Sequence, residues 1–135
     1  MKKSVIIFSL ITLFLFGNAV FATVVDELIK GYQETGAGNF DASRGEAMWN
    51  KPFSDAKAAG KIRSCTSCHT ANIADTGKHV TTGKLIKPMS PSVNNSRLTD
   101  PKKVEKWFLR NCKWTVGREC TPQEKGDFLI FLRSK

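Results

Sequence analysis

The stretch Cys65-Thr66-Ser67-Cys68-His69 lies near the middle of the chain and decides how the rest is interpreted. Two thiols three positions apart can form thioether bonds to the two vinyl groups of one porphyrin. The histidine that follows directly can turn its imidazole under the iron as the proximal ligand. The stretch therefore predicts one covalently attached haem c, bonded to Cys65 and Cys68 and ligated by His69.

Two other interpretations use the same residues. A structural zinc site needs four nitrogen or sulfur ligands in a closed tetrahedral array, usually with a second closely spaced pair. Cys112 and Cys120 lie far downstream and eight positions apart, which makes them a poor second pair. A C-x-x-C redox pair gives no reason for the adjacent histidine and is typical of a strand followed by a helix. Haem attachment is favoured over both.

The first 22 residues predict a secretory signal peptide. Lys2 and Lys3 precede an apolar run over residues 5–16, and short side chains precede a cut after Ala22. The run is short for a membrane span, and an uncleaved anchor that extends through Ala22 is the alternative. Cleavage leaves one domain over residues 23–135, enough for a single small core. Export places that domain in the periplasm, with no membrane span.

Export also sets the redox conditions for the four cysteines. Thioether-linked haem and structural disulfides both belong outside the cytoplasm. With Cys65 and Cys68 assigned to the haem, Cys112 and Cys120 remain and are predicted to form one disulfide. A mixed pairing is allowed by the count alone, but it would destroy the haem motif. A disulfide that switches with redox state is the alternative to a structural one.

The predicted domain is strongly basic, because removal of Lys2 and Lys3 lowers the formal charge from +9 only to +7. Nucleic acid is a poor partner outside the cytoplasm, so none is expected. The charge instead indicates a positive face that attracts an acidic redox partner or an anionic small molecule, and solubility alone is the other explanation. The basic residues near the candidate haem ligands are Lys78, Lys84, Lys87, Lys102, Lys103, Lys106, Arg110, Lys113 and Arg118.

Hydrophobic periodicity predicts helices on both sides of the motif. Residues 24–33 form a first amphipathic helix, and Asp41 caps a second one that carries Trp49 to the core. Residues 51–63 are predicted to be loop-like or weakly helical. Residues 70–95 lack periodicity and are punctuated by glycine and proline, which indicates a loop wrapped around the porphyrin edge.

Two further helices are predicted near the C-terminus. Asp100-Pro101 starts the first, and its apolar stripe places Asn111 on the same side as Trp107 and Phe108. A buried amide on such a stripe needs a partner, because an unpaired polar group costs about 1–3 kcal/mol. The stretch Thr121-Pro122-Gln123-Glu124 is a capping box that opens the second helix.

Glycines predict how the helices cross. Gly126 is the one weak helix former in the last helix, and it allows a close crossing with Gly45 in the second helix.

Three side chains compete for the second axial position of the iron. Met89 lies in the proline-rich stretch 87–91, a setting typical of electron-carrier cytochromes, and its thioether favours ferrous iron. His79 would give bis-histidine ligation, which blocks small ligands. Asn111 offers a hard amide oxygen, which suits ferric iron better than ferrous iron. Such a ligand would loosen on reduction and open the site to a diatomic gas, but on the residues alone Met89 is the leading candidate.

Nearly the whole predicted domain, about residues 27–132, resembles the sphaeroides haem protein (SHP) family of monohaem c-type cytochromes. Besides the haem motif, the stretches that carry the resemblance are Ile29-Lys30-Gly31-Tyr32, Arg44-Gly45, Thr82-Gly83-Lys84, Met89-Ser90-Pro91-Ser92 and Val104-Glu105-Lys106-Trp107. The most specific one runs from Arg110-Asn111-Cys112 through Gly117-Arg118-Glu119-Cys120-Thr121-Pro122 to Glu124-Lys125.

The resemblance implies that Asn111 is the distal ligand, that it leaves on reduction, and that the protein then binds oxygen, nitric oxide or carbon monoxide. It also implies a dihaem cytochrome c as the electron donor. Met89 is not required by the ligand pattern of that family, so a simple electron carrier with Met89 on the iron is the alternative. The helix pattern and the motif together predict an all-α, class-I-like cytochrome c fold with four or five helices around one haem. Oxygen or nitric oxide turnover at ferrous haem is compatible with the gas-binding function, whereas a simple electron carrier with Met89 on the iron needs only electron transfer.

Overall fold

The structure is a computed structural model that describes residues 23–55 and 60–135, so the predicted signal peptide lies outside the described residues. Within these ranges there are five helices: α1 (Val24–Glu34), α2 (Ala42–Asn50), α3 (Thr66–His69), α4 (Pro101–Thr115) and α5 (Pro122–Arg133). Two antiparallel strand pairs join β1 (Phe53–Asp55) to β2 (Lys61–Arg63) and β3 (Gly77–Lys78) to β4 (Leu85–Ile86). None of the helices described is long and apolar enough to cross a membrane.

Local side chains define where the long helices begin. A helix start leaves backbone N–H groups that no carbonyl within the helix can reach, and a preceding polar side chain can accept their hydrogen bonds. The side chains that do so here are Thr23 for α1, Asp41 for α2, Asp100 for α4 and Thr121 for α5. The Thr121 and Glu124 pair forms the predicted capping box.

Helix α5 lies at the centre of the fold and packs against α1 and α2. A Cβ atom on Gly45 would lie 2.3 Å from the carbonyl oxygen of Asp127, so α2 can approach α5 this closely only with glycine. The predicted close crossing of α2 on α5 is therefore present at Gly45, but Gly126 does not form it, because Gly126 faces the ring of Phe40. The apolar face that α5 buries consists of Phe128, Leu129, Phe131 and Leu132.

A buried carboxylate also holds α2 against α5. Asp127 accepts hydrogen bonds from the Asp41 backbone N–H at 2.7 Å and from Nε of Arg44 at 2.9 Å. Nη2 of Arg44 and Nε2 of Gln123 bond to the same carboxylate, at 2.9 and 3.2 Å. A buried charge is stable only when it is paired and its oxygens are satisfied, and this carboxylate meets both conditions.

Residues 51–63 differ from the predicted loop or weak helix, because β1 and β2 form an antiparallel ribbon here. The ribbon has little apolar periodicity, and Ile62 is 73% exposed. A distant contact anchors it: Arg63 stacks 4.1 Å from the ring centre of Trp114 and donates a hydrogen bond to its carbonyl oxygen at 3.1 Å. Local sequence carries no signal for a contact 51 residues away.

Residues 70–95 are irregular apart from β3 and β4, as predicted. The backbone N–H groups of Met89 and Ser90 both donate to the carbonyl oxygen of Ile73, at 2.8 and 2.9 Å. Ile73 and Ser90 are buried, so the segment folds back on itself and packs into the core. This return brings the backbone of Met89 next to Ile73, four residues after the haem motif.

Candidate haem site

A cavity of about 780 Å³ lies between the haem motif, the 79–99 segment and α4. This volume falls in the range of about 300–1,000 Å³ that is usual for small-molecule and cofactor sites. The predicted haem residues all line the cavity, namely Cys65, Cys68, His69, Met89 and Asn111. Much of the remaining wall is apolar, with Trp49, Leu98, Val104, Trp107, Phe108, Phe128 and Leu132 among its side chains. The fold therefore brings the candidate ligands to one largely apolar site.

Helix α3 holds the motif in a single turn, with the His69 N–H donating to the carbonyl oxygen of Cys65 at 3.0 Å. Neither Cys65 nor Cys68 forms a disulfide. Burial raises the pKa of the Cys65 thiol to about 12, so this thiol is protonated at neutral pH. Both thiols are thus free and lie on the cavity wall, as thioether attachment requires.

The environment of His69 suits an iron ligand. Burial, with a smaller contribution from Arg97, lowers the pKa of His69 to about 4, so the imidazole is neutral and keeps a lone pair for a metal. Its Nδ1 atom is buried and has no hydrogen-bond partner in the part of the chain that the structure describes. Because buried polar atoms are rarely left unpaired in proteins, this orphaned atom fits a site that a further group completes.

Neighbouring elements fix the position of the motif. The indole N–H of Trp49 donates to the carbonyl oxygen of Thr70 at 3.0 Å, and the ring centre of Trp49 lies 5.5 Å from that of His69. A Cβ atom on Gly77 would lie 2.1 Å from the carbonyl oxygen of Cys68, so β3 packs its bare backbone directly on α3. The wall that carries His69 therefore has little room to move.

Helix α4 provides another wall, and the predicted stripe of Trp107, Phe108 and Asn111 lines the cavity. Asn111 is exposed, and its side chain makes no hydrogen bond to any residue the structure describes. The next residue, Cys112, is buried and joined to Cys120 by a disulfide with an S–S distance of 2.01 Å. The backbone beside Asn111 is thus anchored in the core while its amide is free on the cavity wall.

The two other candidate ligands also line the cavity, but both have other contacts. Met89 is partly buried and packs against the core cluster that contains Trp49 and Ile73. Nδ1 of His79 accepts hydrogen bonds from the backbone N–H groups of Thr81 and Thr82, each at 3.2 Å, which leaves only its other ring nitrogen available.

Sequence reasoning missed one residue of this site, Arg97. It lines the cavity, is half buried, and donates from Nε to the Pro88 carbonyl oxygen at 2.8 Å. In the sequence Arg97 is one more cation in a polar loop, and no spacing separates it from exposed arginines. The basic residues at the rim, by contrast, were expected from the sequence and are Lys84, Lys87, Lys103 and Arg110.

Comparison with known proteins places the chain in a family. Residues 35–132 match a family profile described as a domain of unknown function, DUF1924. The cytochrome c-type protein SHP of Cereibacter sphaeroides is 41% identical over 111 residues, which cover 81% of this chain and 82% of that protein. The chain belongs to the SHP family of c-type cytochromes. This confirms the family resemblance found in the sequence and, with it, haem c as the cofactor.

Solved structures of the SHP family and its neighbours confirm the predicted helical cytochrome fold. Oxidised SHP, described as an oxygen-binding cytochrome c, is 39% identical, with a TM-score of 0.75 over 85% of this chain and 100% of that chain. Oxidised cytochrome c'' from Methylophilus methylotrophus is 33% identical, with a TM-score of 0.72 over 83% and 94% of the two chains. In sequence, cytochrome c'' of that organism is 42% identical over 88 residues, or 65% of this chain and 60% of that protein.

Proposed function

We propose that this protein is a periplasmic cytochrome that transfers electrons and, when reduced, releases Asn111 to bind a diatomic gas. The observation that carries the proposal is that His69 on α3 and Asn111 on α4 line the same cavity. Haem c, when bound there, supplies an iron that alternates between the ferric and ferrous states and can bind oxygen, nitric oxide or carbon monoxide.

In this proposal α3 provides the permanent attachment. Cys65 and Cys68 form the two thioether bonds, and His69 is the proximal ligand. Trp49 and Gly77 hold the backbone around these residues through a hydrogen bond to Thr70 and a close approach to Cys68. His69 can then stay in place in both oxidation states.

Asn111 provides the dissociable ligand. Its amide oxygen is a hard donor, which prefers ferric iron to the softer ferrous ion. The side chain has no other hydrogen bond within the described residues, and the disulfide at Cys112 anchors the neighbouring backbone. Asn111 can therefore change rotamer without any shift of α4, which would leave that side of the cavity open to a gas.

The relatives support this function. Oxidised SHP is described as an oxygen-binding cytochrome c. A solution structure of Methylophilus methylotrophus cytochrome c'', 34% identical with a TM-score of 0.70 over 82% of this chain and 93% of that one, is described as giving insights into haem-ligand detachment. Gas binding and ligand release are thus both properties for which relatives of similar fold have been described.

Absorption spectra of the ferric and ferrous protein, with and without carbon monoxide, test the proposal. We expect the ferrous protein to bind carbon monoxide and Asn111→Ala to change the ferric spectrum toward high spin. Met89→Ala is the matched control, because Met89 lines the same cavity, and its ferric spectrum should match that of the wild type. The proposal fails if reduced protein does not bind carbon monoxide and Asn111→Ala leaves the ferric spectrum unchanged.

The alternative is a simple electron carrier with Met89 as a permanent ligand. The presence of Met89 on the cavity wall favours it. The side chain of Met89 packs against the core cluster that contains Trp49 and Ile73, which favours a packing role instead. An electron carrier of this kind would be closed to carbon monoxide in both oxidation states.

The electron donor in this proposal is an acidic cytochrome, and the family resemblance points to a dihaem cytochrome c. Exposed cations at the cavity mouth would attract it, because charges of opposite sign accelerate encounter. The basic residues that line the mouth are Lys84, Lys87, Lys103 and Arg110.

A further inference from the structure

Arg97 is a half-buried cation on the cavity wall with no carboxylate partner among the residues that the structure describes. Other arginines of the fold have one: Arg44 pairs with Asp127, Arg118 with Glu124 and Arg133 with Asp26. A charge that is withdrawn from water without a counter-charge is costly. Burial lowers the pKa of Arg97, in agreement with that cost. The half-buried charge of Arg97 would therefore be stabilised by an anionic partner.

Hydrogen bonds fix the plane of the Arg97 guanidinium. Nε donates to the Pro88 carbonyl oxygen at 2.8 Å and Nη2 donates to the Lys87 carbonyl oxygen at 2.6 Å. Asn94 donates to the same Pro88 oxygen at 2.9 Å and secures the loop that carries these acceptors. Nη1 makes no hydrogen bond within the described residues, so its two N–H donors remain unused in a side chain that lines the cavity.

The other cations of the cavity are differently placed. Lys84, Lys103 and Arg110 are exposed at the rim, and Arg110 lies 5.0 Å from the ring centre of Trp107. Arg97 is more buried than these residues and lines the same cavity as His69. The charged and titratable side chains that share the cavity with it are His69, His79, Lys84, Lys87, Asp100, Lys103 and Arg110.

We propose that Arg97 is a positioning residue that binds one of the two propionate carboxylates of the haem through Nη1. This inference rests on the haem attachment proposed above. The two N–H groups of Nη1 can donate to a carboxylate, and a charge-assisted pair in a partly buried site is stronger than one in water. With haem bound, Arg97 would neutralise the charge of that propionate and help to hold the porphyrin in one position in the cavity.

The test is the midpoint potential of the holoprotein over a pH series, measured for the wild type, Arg97→Gln and Arg97→Lys. An unpaired propionate anion stabilises ferric iron, so Arg97→Gln should lower the potential at neutral pH. A propionate without its cation also titrates at higher pH, so the potential of this variant should fall further as pH rises. Arg97→Lys keeps the charge and should stay near the wild type, as should the control Arg133→Gln, which changes an arginine outside the cavity lining.

Resonance Raman spectra and haem content separate the alternatives. Relative to the wild type, we expect the propionate bending mode to shift in both Arg97 variants and to stay unchanged in Arg133→Gln. The inference is overturned if Arg97→Gln carries full covalent haem with an unchanged potential and mode. Equal potential shifts in Arg97→Gln and Arg97→Lys also overturn it, since Arg97 would then only anchor the loop at Lys87 and Pro88.

Two further outcomes are distinguishable. If Arg97→Gln does not fold, the bending mode of Arg97→Lys decides: a shifted mode supports the inference and an unshifted one overturns it. Absence of covalent haem from the wild type would instead refute the proposed attachment, and haem content reports this independently of the potential.

Discussion

The cavity walls formed by α3 and α4 carry the candidate ligands His69 and Asn111, and they differ in which part of the chain is held in place. On the α3 wall the ligand itself is confined, because Trp49 and Gly77 contact the backbone on both sides of His69. On the α4 wall the disulfide at Cys112 confines the backbone, whereas the Asn111 side chain has no hydrogen bond within the described chain. A permanent ligand needs the first arrangement and a dissociable ligand needs the second. The fold thus confines the two candidate ligands of one site in different ways.

Gly77→Ala should have the largest effect on stability, because it disrupts the packing of β3 on α3. The added methyl group would lie 2.1 Å from the Cys68 carbonyl oxygen, and a backbone atom cannot move aside as a flexible side chain can. We expect a loss of about 3 kcal/mol in the free energy of unfolding. Denaturant titration of the holoprotein measures the loss, and the yield of covalent haem should fall with it.

Gly31→Ala is the matched control for this substitution. Gly31 lies inside α1, and a Cβ atom there would meet nothing within 4 Å. Alanine is the better helix former by about 0.5–1 kcal/mol, so this variant should be as stable as the wild type or more so. If Gly77→Ala behaved in the same way, the contact between β3 and α3 would not confine the haem motif.

Removal of the disulfide tests whether it holds the backbone of α4 beside Asn111. Cys112→Ala with Cys120→Ala should lower the free energy of unfolding by about 2–3 kcal/mol, the effect expected for a short loop. The ferric absorption spectrum should also become a mixture of spin states, because the backbone beside Asn111 loses its anchor. Denaturant titration and ferric spectra of the holoprotein measure the two effects.

Lys113→Ala is the control for this loop. Lys113 and Glu119 form an exposed ion pair at 3.0 Å that spans the same segment as the disulfide. Exposed pairs contribute about 0–1 kcal/mol, so the loss should be small and the ferric spectrum unchanged. A double cysteine variant with a wild-type ferric spectrum would show that the disulfide does not position Asn111.

Reversal of the charge at the cavity mouth tests the proposed electron donor. Lys84→Glu with Lys87→Glu should slow reduction by an acidic dihaem cytochrome c about tenfold at low ionic strength, and added salt should reduce the difference. Stopped-flow absorbance measures the rate. Lys30→Glu with Lys61→Glu changes two exposed residues outside the cavity lining by the same charge. Equal slowing in both pairs would exclude a local docking face.

The sequence predicted the features that local chemistry determines. The haem motif, the caps at Asp41, Asp100 and Thr121, and the stripe that carries Asn111 each depend on neighbours within a turn or two, and the structure has them where they were expected. With Cys65 and Cys68 assigned to the haem, the number of cysteines left Cys112 and Cys120 to form the disulfide, and the structure joins this pair.

The features that the sequence did not predict depend on distant contacts. The β1 and β2 ribbon is held by Arg63 on Trp114, and Asp127 accepts from Arg44 across 83 positions. Hydrogen bonds to the carbonyl oxygens of Lys87 and Pro88 hold Arg97 in position. In each case an arginine has several neighbours that can satisfy it, and only the folded chain determines which one does.

The smallest predicted effect concerns the connection from the disulfide to α5. Arg118 donates two hydrogen bonds to Glu124, at 2.7 and 2.6 Å, and lowers the pKa of that carboxyl below its usual value. A lowered pKa in the folded state means that the carboxylate stabilises the fold above its unfolded pKa, and that this contribution is lost as pH falls through the folded value.

Glu124→Gln should therefore cost about 0.5 kcal/mol at pH 7 and almost nothing at acid pH, where the wild-type carboxyl is also protonated. Denaturant titrations at both pH values measure the difference. Because Thr121 still caps α5 in the variant, the ferric spectrum should match that of the wild type at neutral pH. A changed spectrum would mean that the ion pair, and not only the disulfide, holds the α4 wall, and the contrast between the two walls would then extend to the N-terminus of α5.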